Sequence, residues 1–181
     1  MDYTKFMTQI TKKRRENAIR TLAVHHEKHP GLVFLAGGVP NAETFPFKEI
    51  FVTYNDGIQK KLIDSDLQQA LQYGTSQGFP PLLKKWREFQ TKRHSPKYKD
   101  WDIQVTTGAI EGCSKLFEMF IGEGESVMIQ APAFPGILSM VKPMPMNYYE
   151  IKMDDDGVLP SQIIKACEDQ RRKGQSVPKV S

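Results

Sequence analysis

Cysteine is scarce: the 181 residues hold only two, Cys113 and Cys167, far apart in sequence. No CxxC pair and no histidine cluster accompanies them, which argues against a zinc site. A chain of this size needs no disulfide staple, so a reducing compartment is the default. Long apolar runs are missing as well. Nothing approaches the roughly 20 residues of a membrane helix, so no membrane partner is expected. Excess charge is small, with 25 Lys plus Arg against 21 Asp plus Glu, too little to demand nucleic acid. The N-terminus lacks the apolar stretch of a secretory signal, and no internal repeat or low-complexity tract interrupts the chain.

What is present is globular. Apolar residues make up 39%, aromatic 10% and charged 25%, unlike the profile of a disordered chain. The length suits one large domain. The basic excess is local: Lys84 to Lys99 carries seven Lys or Arg and one acid, Glu88. Leu82, Leu83, Trp86 and Phe89 recur there at helical spacing, so the aromatics are predicted to face a core and the charges water. That reading leaves no nucleic-acid partner. Lys12-Lys13-Arg14-Arg15 reads as an exposed helix face, and His25-His26 as a solvated pair.

Along the chain, Asp2 to about His29 reads as a polar helical arm. Leu32–Leu35 is a short apolar run stopped by Ala36-Gly37-Gly38-Val39-Pro40. Pro46-Phe47 suits the start of a helix reaching about Tyr54. Tyr73 to Pro81 is a loop, followed by a helix to about Arg93. Ile103–Thr107 is a predicted strand, 109–121 a helix, 126–130 a strand, 137–141 a short helix, 147–151 a third strand, and a helix runs from Pro160 to about Lys173. This alternation predicts an α/β fold: a partial parallel sheet flanked by helices, preceded by an N-terminal arm. Val177 to Ser181 reads as the approach to a further strand, so an interrupted sheet is expected.

Four loops could carry chemistry. Thr106-Thr107-Gly108-Ala109-Ile110-Glu111-Gly112 joins a predicted strand to a helix, where N–H groups and the helix dipole favour a phosphate; a purely structural cap is the alternative. Ala131-Pro132-Ala133-Phe134-Pro135-Gly136 follows the next strand, at the sheet end where ligands bind in such folds. Phe134 there is either a flat face for an aromatic ring or a buried plug. The remaining two are Leu35–Asn41 with Phe45-Pro46, and Leu71–Gly78.

In this order, LAGGVPNAETFPF, LQYGTSQGFPPL, VTTGAIEG, KLFEMFIGEGESVMI, APAFPG and DDDGVLP resemble the fold-type I pyridoxal-phosphate enzymes. Within these, the likeness is to class I/II aminotransferases, and closest to the kynurenine/α-aminoadipate aminotransferase group. It extends from about Tyr3 to Pro178. The resemblance implies pyridoxal 5'-phosphate as cofactor, its phosphate cradled by the backbone of Gly108, Ala109 and Ile110. Phe134 would stack on the pyridine ring, and Tyr73 would reach the phosphate in the partner subunit of a homodimer. Gly38 would line the substrate carboxylate pocket, and Arg20 would lie in an arm that closes over substrate. The family's hydroxyl residue is Ala109 here, its polar neighbour is Ile110, its stacking Tyr is Phe134, and its Asp-Glu-Pro is Gln130-Ala131-Pro132. Two hydrogen bonds to phosphate are thereby lost, each worth about 1.5–3 kcal/mol, and cofactor binding is expected to be weak or absent.

The family's Schiff-base lysine, the Asp that pairs with the pyridine nitrogen and the carboxylate-binding Arg are expected beyond Ser181, so no residue of this chain is assigned a catalytic role. The implied activity is transfer of an amino group from an aromatic or 2-aminoadipate-like amino acid to a 2-oxo acid. The chain would be the N-terminal portion of such an enzyme. The alternative is a non-catalytic truncated or degenerate paralogue that at most dimerises. Residues 1–45 are expected to form the arm and substrate-side loop, and 46–181 an incomplete large domain. A cytoplasmic or mitochondrial location fits either reading.

Overall fold

The computed structural model describes residues 2–29 and 31–180, the side chains of Glu27 and Val180 aside. Two compact units emerge, Met1–Arg15 with Thr106–Ser181, and Glu16–Val105. The expected division at residue 45 falls inside the second.

The first unit holds α1 (Gln9–Lys13), α5 (Ala109–Phe120), β3 (Ser126–Ala131), α6 (Pro135–Val141), β4 (Asn147–Asp154), β5 (Gly157–Val158), α7 (Pro160–Arg172) and β6 (Lys179–Val180). The sheet order is β5-β4-β3-β6. β3 runs parallel to β4 from Ser126↔Asn147 to Ala131↔Lys152, and parallel to β6 at Val127↔Lys179 and Met128↔Val180. β5 closes the other edge antiparallel to β4. The predicted α/β fold with a partly parallel sheet is therefore present.

β3 reads as a run of buried residues because both of its faces are covered. Strand periodicity sends Val127 and Ile129 to one face, where Phe117 and Val141 meet them; Met128 goes to the other, with Ile151 and Ala166. Val127 is 0% exposed. Gln170, 1% exposed, is held by its hydrogen bond to the Tyr149 hydroxyl. Prolines open α6 and α7, where a missing N–H leaves no ladder bond unmade. The Thr8 hydroxyl caps α1 by accepting from Thr11 N–H and donates to the Glu118 carbonyl at 3.1 Å, while Arg14 pairs with Glu118.

The second unit contains α2 (Ala18–Lys28), β1 (Ile50–Thr53), β2 (Gln59–Leu62), α3 (Asp64–Leu71) and α4 (Pro80–His94). Asn17 caps α2 through bonds from Ile19 and Arg20 N–H. Its only fully buried apolar residue among those described is Leu67.

Three expectations are corrected. Residues 46–54 form no helix: Ile50-Phe51-Val52-Thr53 pairs antiparallel with Gln59–Leu62 as a hairpin, because β-branched and aromatic residues precede an Asn55-Asp56-Gly57 turn in which Gly57 has φ +83°. Ile103–Thr107 forms no strand. No ladder partner lies beside it among the described residues, and Val105 N–H donates singly to Gln77 O at 2.8 Å. On α4 the aromatics do not face a core: Trp86 is 49% and Phe89 52% exposed. Arg87 instead covers Trp101, its guanidinium 4.3 Å from the ring centroid. The expected break in the sheet was placed at Ser181, which lies outside the described residues.

Candidate functional site

Before α5 the backbone makes a tight turn at Gly108, with φ +88° and ψ 163°. No heavy atom crowds a Cβ there, so glycine is required by the backbone angle alone. The Thr106 hydroxyl donates to Gly108 O at 2.9 Å, and the Glu111 carboxylate reaches back to accept from Thr107 N–H. Glu111 thus caps the turn structurally. The N–H groups of Ala109, Ile110 and Glu111 have no hydrogen-bond partner among the described residues, and Gly108 to Ile110 are exposed. Glu111 closes the turn, and the start of the helix keeps unpartnered N–H groups among the described residues.

Phe134 is the N-cap residue of α6 and is 67% exposed, so it is no buried plug. Its ring folds over Gly136. A Cβ at Gly136 would sit 2.4 Å from Phe134 Cε1 and 3.3 Å from Ile110 Cδ1. Ile110 and Phe134 therefore converge on one glycine, where a Cβ would require the Phe134 ring to shift. Sequence reasoning missed Gly136; its signal was the Pro-Gly pair directly after an aromatic. Beside Phe134 opens an apolar cavity of about 550 Å³, whose walls include Cys113, Phe117, Met128, Ile129 and Ile137.

The other three candidate residues, Arg20, Gly38 and Tyr73, lie in the second unit. Arg20 Nη1 donates to Gly74 O at 3.1 Å, next to Tyr73. Gln72, on the other side of Tyr73, donates to Pro40 O at 3.0 Å, two residues from Gly38. Gly38 has φ +56° and open space around it, and Tyr73 is 70% exposed. Among the described residues no group of three or more His, Cys, Asp or Glu could hold a metal, and no helix is long and apolar enough to cross a membrane.

No family model matches the chain. Among curated proteins, mouse (Mus musculus) mitochondrial kynurenine/α-aminoadipate aminotransferase is 33% identical over 192 aligned residues, which take in 99% of this chain and 45% of the mouse protein. Aromatic-amino-acid aminotransferase 1 of Thermococcus litoralis is 28% identical, covering 98% of this chain and 41% of its own. Among solved structures, aminotransferase Aro8 from Candida albicans superposes with a TM-score of 0.80 at 21% identity, covering 93% of this chain and 40% of that one. The chain is a homologue of kynurenine/α-aminoadipate and aromatic aminotransferases, and its structural neighbours are fold-type I aminotransferases. It spans less than half the length of the curated relatives it matches, and its fold is that of their N-terminal part.

Pyridoxal phosphate is the cofactor of this aminotransferase family, and a kynurenine aminotransferase from Pyrococcus horikoshii, 25% identical with a TM-score of 0.60, was solved in complex with PMP. The α5 turn meets the needs of the phosphate: exposed, unpartnered N–H groups lie at the positive end of a helix dipole. The aromatic ring of Phe134 stands close by: Phe134 Cε1 and Ile110 Cδ1 both lie within 3.3 Å of the Cβ position of Gly136. A covalent anchor is another matter. No lysine lines the cavity beside Phe134. Lys115 pairs with Glu118, and Lys179 with Glu125.

Proposed function

We propose that this chain is the phosphate-cradling portion of an aminotransferase that moves an amino group from an aromatic or 2-aminoadipate-like amino acid to a 2-oxo acid. The observation that carries the reading is the open helix start at Ala109 and Ile110, with Phe134 adjacent. Gly108, Ala109 and Ile110 hold the phosphate through backbone N–H groups, and Phe134 offers its face to the pyridine ring. When bound, pyridoxal phosphate supplies the electron sink for proton loss at the substrate Cα. Arg20 and Gly38 serve the substrate carboxylate, and Tyr73 serves a phosphate across a homodimer. Residues 1–45 act as arm and substrate-side loop, 46–181 as part of the large domain. The cytoplasm or the mitochondrion houses it; the mouse relative is mitochondrial by name.

A nucleophilic amine must also be placed at the reacting carbon, and the cavity wall offers none. The 181-residue chain alone is expected to bind cofactor weakly, because Ala109 and Ile110 give the phosphate no side-chain hydrogen bond, and not to transaminate. The test is calorimetric titration with pyridoxal phosphate and with pyridoxal. Binding of the phosphorylated form only, displaced by inorganic phosphate and without a visible absorbance band of a lysine-linked cofactor, is the expected result. Equal binding of both compounds would remove the phosphate assignment. A stoichiometric borohydride-reducible adduct at one lysine would overturn the inactivity.

The second reading is a non-catalytic paralogue that dimerises with a full-length relative. Ala109 and Ile110, which supply no side-chain bonds to phosphate, favour it. Absence of any pyridoxal phosphate binding, together with a mixed dimer on size-exclusion chromatography, would select it.

A further inference from the structure

The end of α2 carries three histidines: His25 and His26 in its last turn and His29 as its C-cap residue. Residues four apart on a helix share a face, whereas adjacent ones do not. His26 is already engaged. Its ring stacks on Phe34 with centroids 4.9 Å apart, and its Nε2 lies 3.0 Å from Leu32 O. His25 and His29 are left together. Their ring centroids are 4.5 Å apart, their planes lie 46° to each other, and both residues are exposed.

Neutral imidazole is a ligand for nickel, copper and zinc, and two histidines at i and i+4 on one helix face can hold a single ion between them. The ring separation indicates which coordination they suit. With metal–nitrogen bonds of about 2.0–2.1 Å, two imidazoles aimed at one ion at a right angle have centroids about 4.5 Å apart. At a tetrahedral angle the separation grows to about 5.2 Å. The observed separation matches the right angle, which belongs to tetragonal nickel(II) or copper(II) rather than to tetrahedral zinc. The place in the helix acts in the same direction. The last carbonyls of a helix carry partial negative charge, and a cation beside them is stabilised.

We propose that His25 and His29 form a two-imidazole chelate for one divalent transition-metal ion of right-angled coordination, nickel(II) or copper(II). No third His, Cys, Asp or Glu joins them among the described residues, so water fills the other positions. An ion held there clamps the last turn of α2, the helix that also carries Arg20. The proposal stands apart from the aminotransferase reading, in which neither histidine takes part.

The test is calorimetric titration of the untagged 181-residue chain with nickel(II), zinc(II) and magnesium(II). Nickel should bind at one equivalent, and magnesium should not bind. His25→Ala and His29→Ala should each weaken nickel binding about tenfold or more. Both residues are exposed, so the thermal melt of the metal-free chain should stay unchanged. His94→Ala should keep the full affinity. Zinc binding that disappears in His25→Ala should be weaker than the nickel binding that disappears with it. In proton NMR, paramagnetic nickel should broaden the ring signals of His25 and His29 before those of His26 and His94. Absence of nickel binding by the folded chain overturns the proposal. Nickel affinity that survives loss of either histidine, or that falls equally in His94→Ala, also overturns it. His25-dependent zinc binding as tight as that of nickel overturns the right-angled assignment.

Discussion

Lys179 Nζ stands 2.6 Å from Glu125 Oε2. The same ammonium donates to the carbonyls of Phe120 and Phe6, and the same carboxylate oxygen accepts the Gly122 N–H. The last strand, the end of α5 and the N-terminal segment thus meet at one ion pair. Burial raises the Glu125 pKa. The hydrogen bond from Lys179, the Gly122 N–H and the Lys179 charge outweigh it and hold the carboxyl below its ordinary value.

A carboxylate whose folded pKa is depressed contributes stability above its unfolded value, ordinarily 4.5 for this group, and loses it as pH falls through the lower folded value. Glu125→Gln should cost about 1 kcal/mol near neutral pH, the pair being only partly shielded from water. It should also flatten the acid limb of the stability curve. Urea unfolding of both proteins at neutral pH and below about pH 4 checks this; an equal gap at both would exclude it.

Gly108 and Gly136 should fail for different reasons. Gly108→Ala meets no obstacle but must adopt φ +88° with ψ 163°, which costs about 1–3 kcal/mol and misaims the N–H groups behind it. Gly136→Ala collides with the Phe134 ring. Adding Phe134→Ala should recover most of the Gly136→Ala loss in stability and none of the Gly108→Ala loss, as read by a double-mutant cycle in thermal melts.

Ala109→Ser and Ile110→Asn each put a donor beside the open helix start. If phosphate binds there, each should tighten pyridoxal phosphate by about tenfold or more, the equivalent of a hydrogen bond to a charged group. Pyridoxal without its phosphate should be unaffected. Equilibrium dialysis with both compounds gives the comparison.

Tyr149→Phe removes the hydroxyl that meets the Gln170 amide, which is 1% exposed. A buried amide without its partner costs about 1–3 kcal/mol. Tyr149→Phe combined with Gln170→Leu should be less destabilised than Tyr149→Phe alone, by chemical denaturation.

The sheet and its helices were legible because their signals are local. Val127–Ile129 is a continuous apolar run shortly after a Gly-rich turn, and prolines announce α4, α6 and α7. The hairpin was not, because Pro46-Phe47 carries a helix-start signal a few residues before Ile50-Phe51-Val52, whose β character appears only with its partner strand. Ile103–Thr107 shows the converse: strand-forming composition makes no strand without a ladder. The Trp86 and Phe89 stripe has helical spacing, and spacing says which residues share a face but not what covers it. The tight turn at Gly108 was legible from its motif, whereas the closeness of the Phe134 ring to Gly136 is a matter of rotamer and packing.

The first unit is discontinuous in sequence, with Glu16–Val105 lying between its two parts. Phe6 and Lys179, joined by a hydrogen bond, are 173 residues apart. At about 5–20 residues per second on the ribosome, the N-terminal segment waits roughly 10–35 s for that partner to be synthesised. Glu16–Val105 is synthesised well before then, so Phe6 stays without this partner while the whole second unit and most of the first emerge.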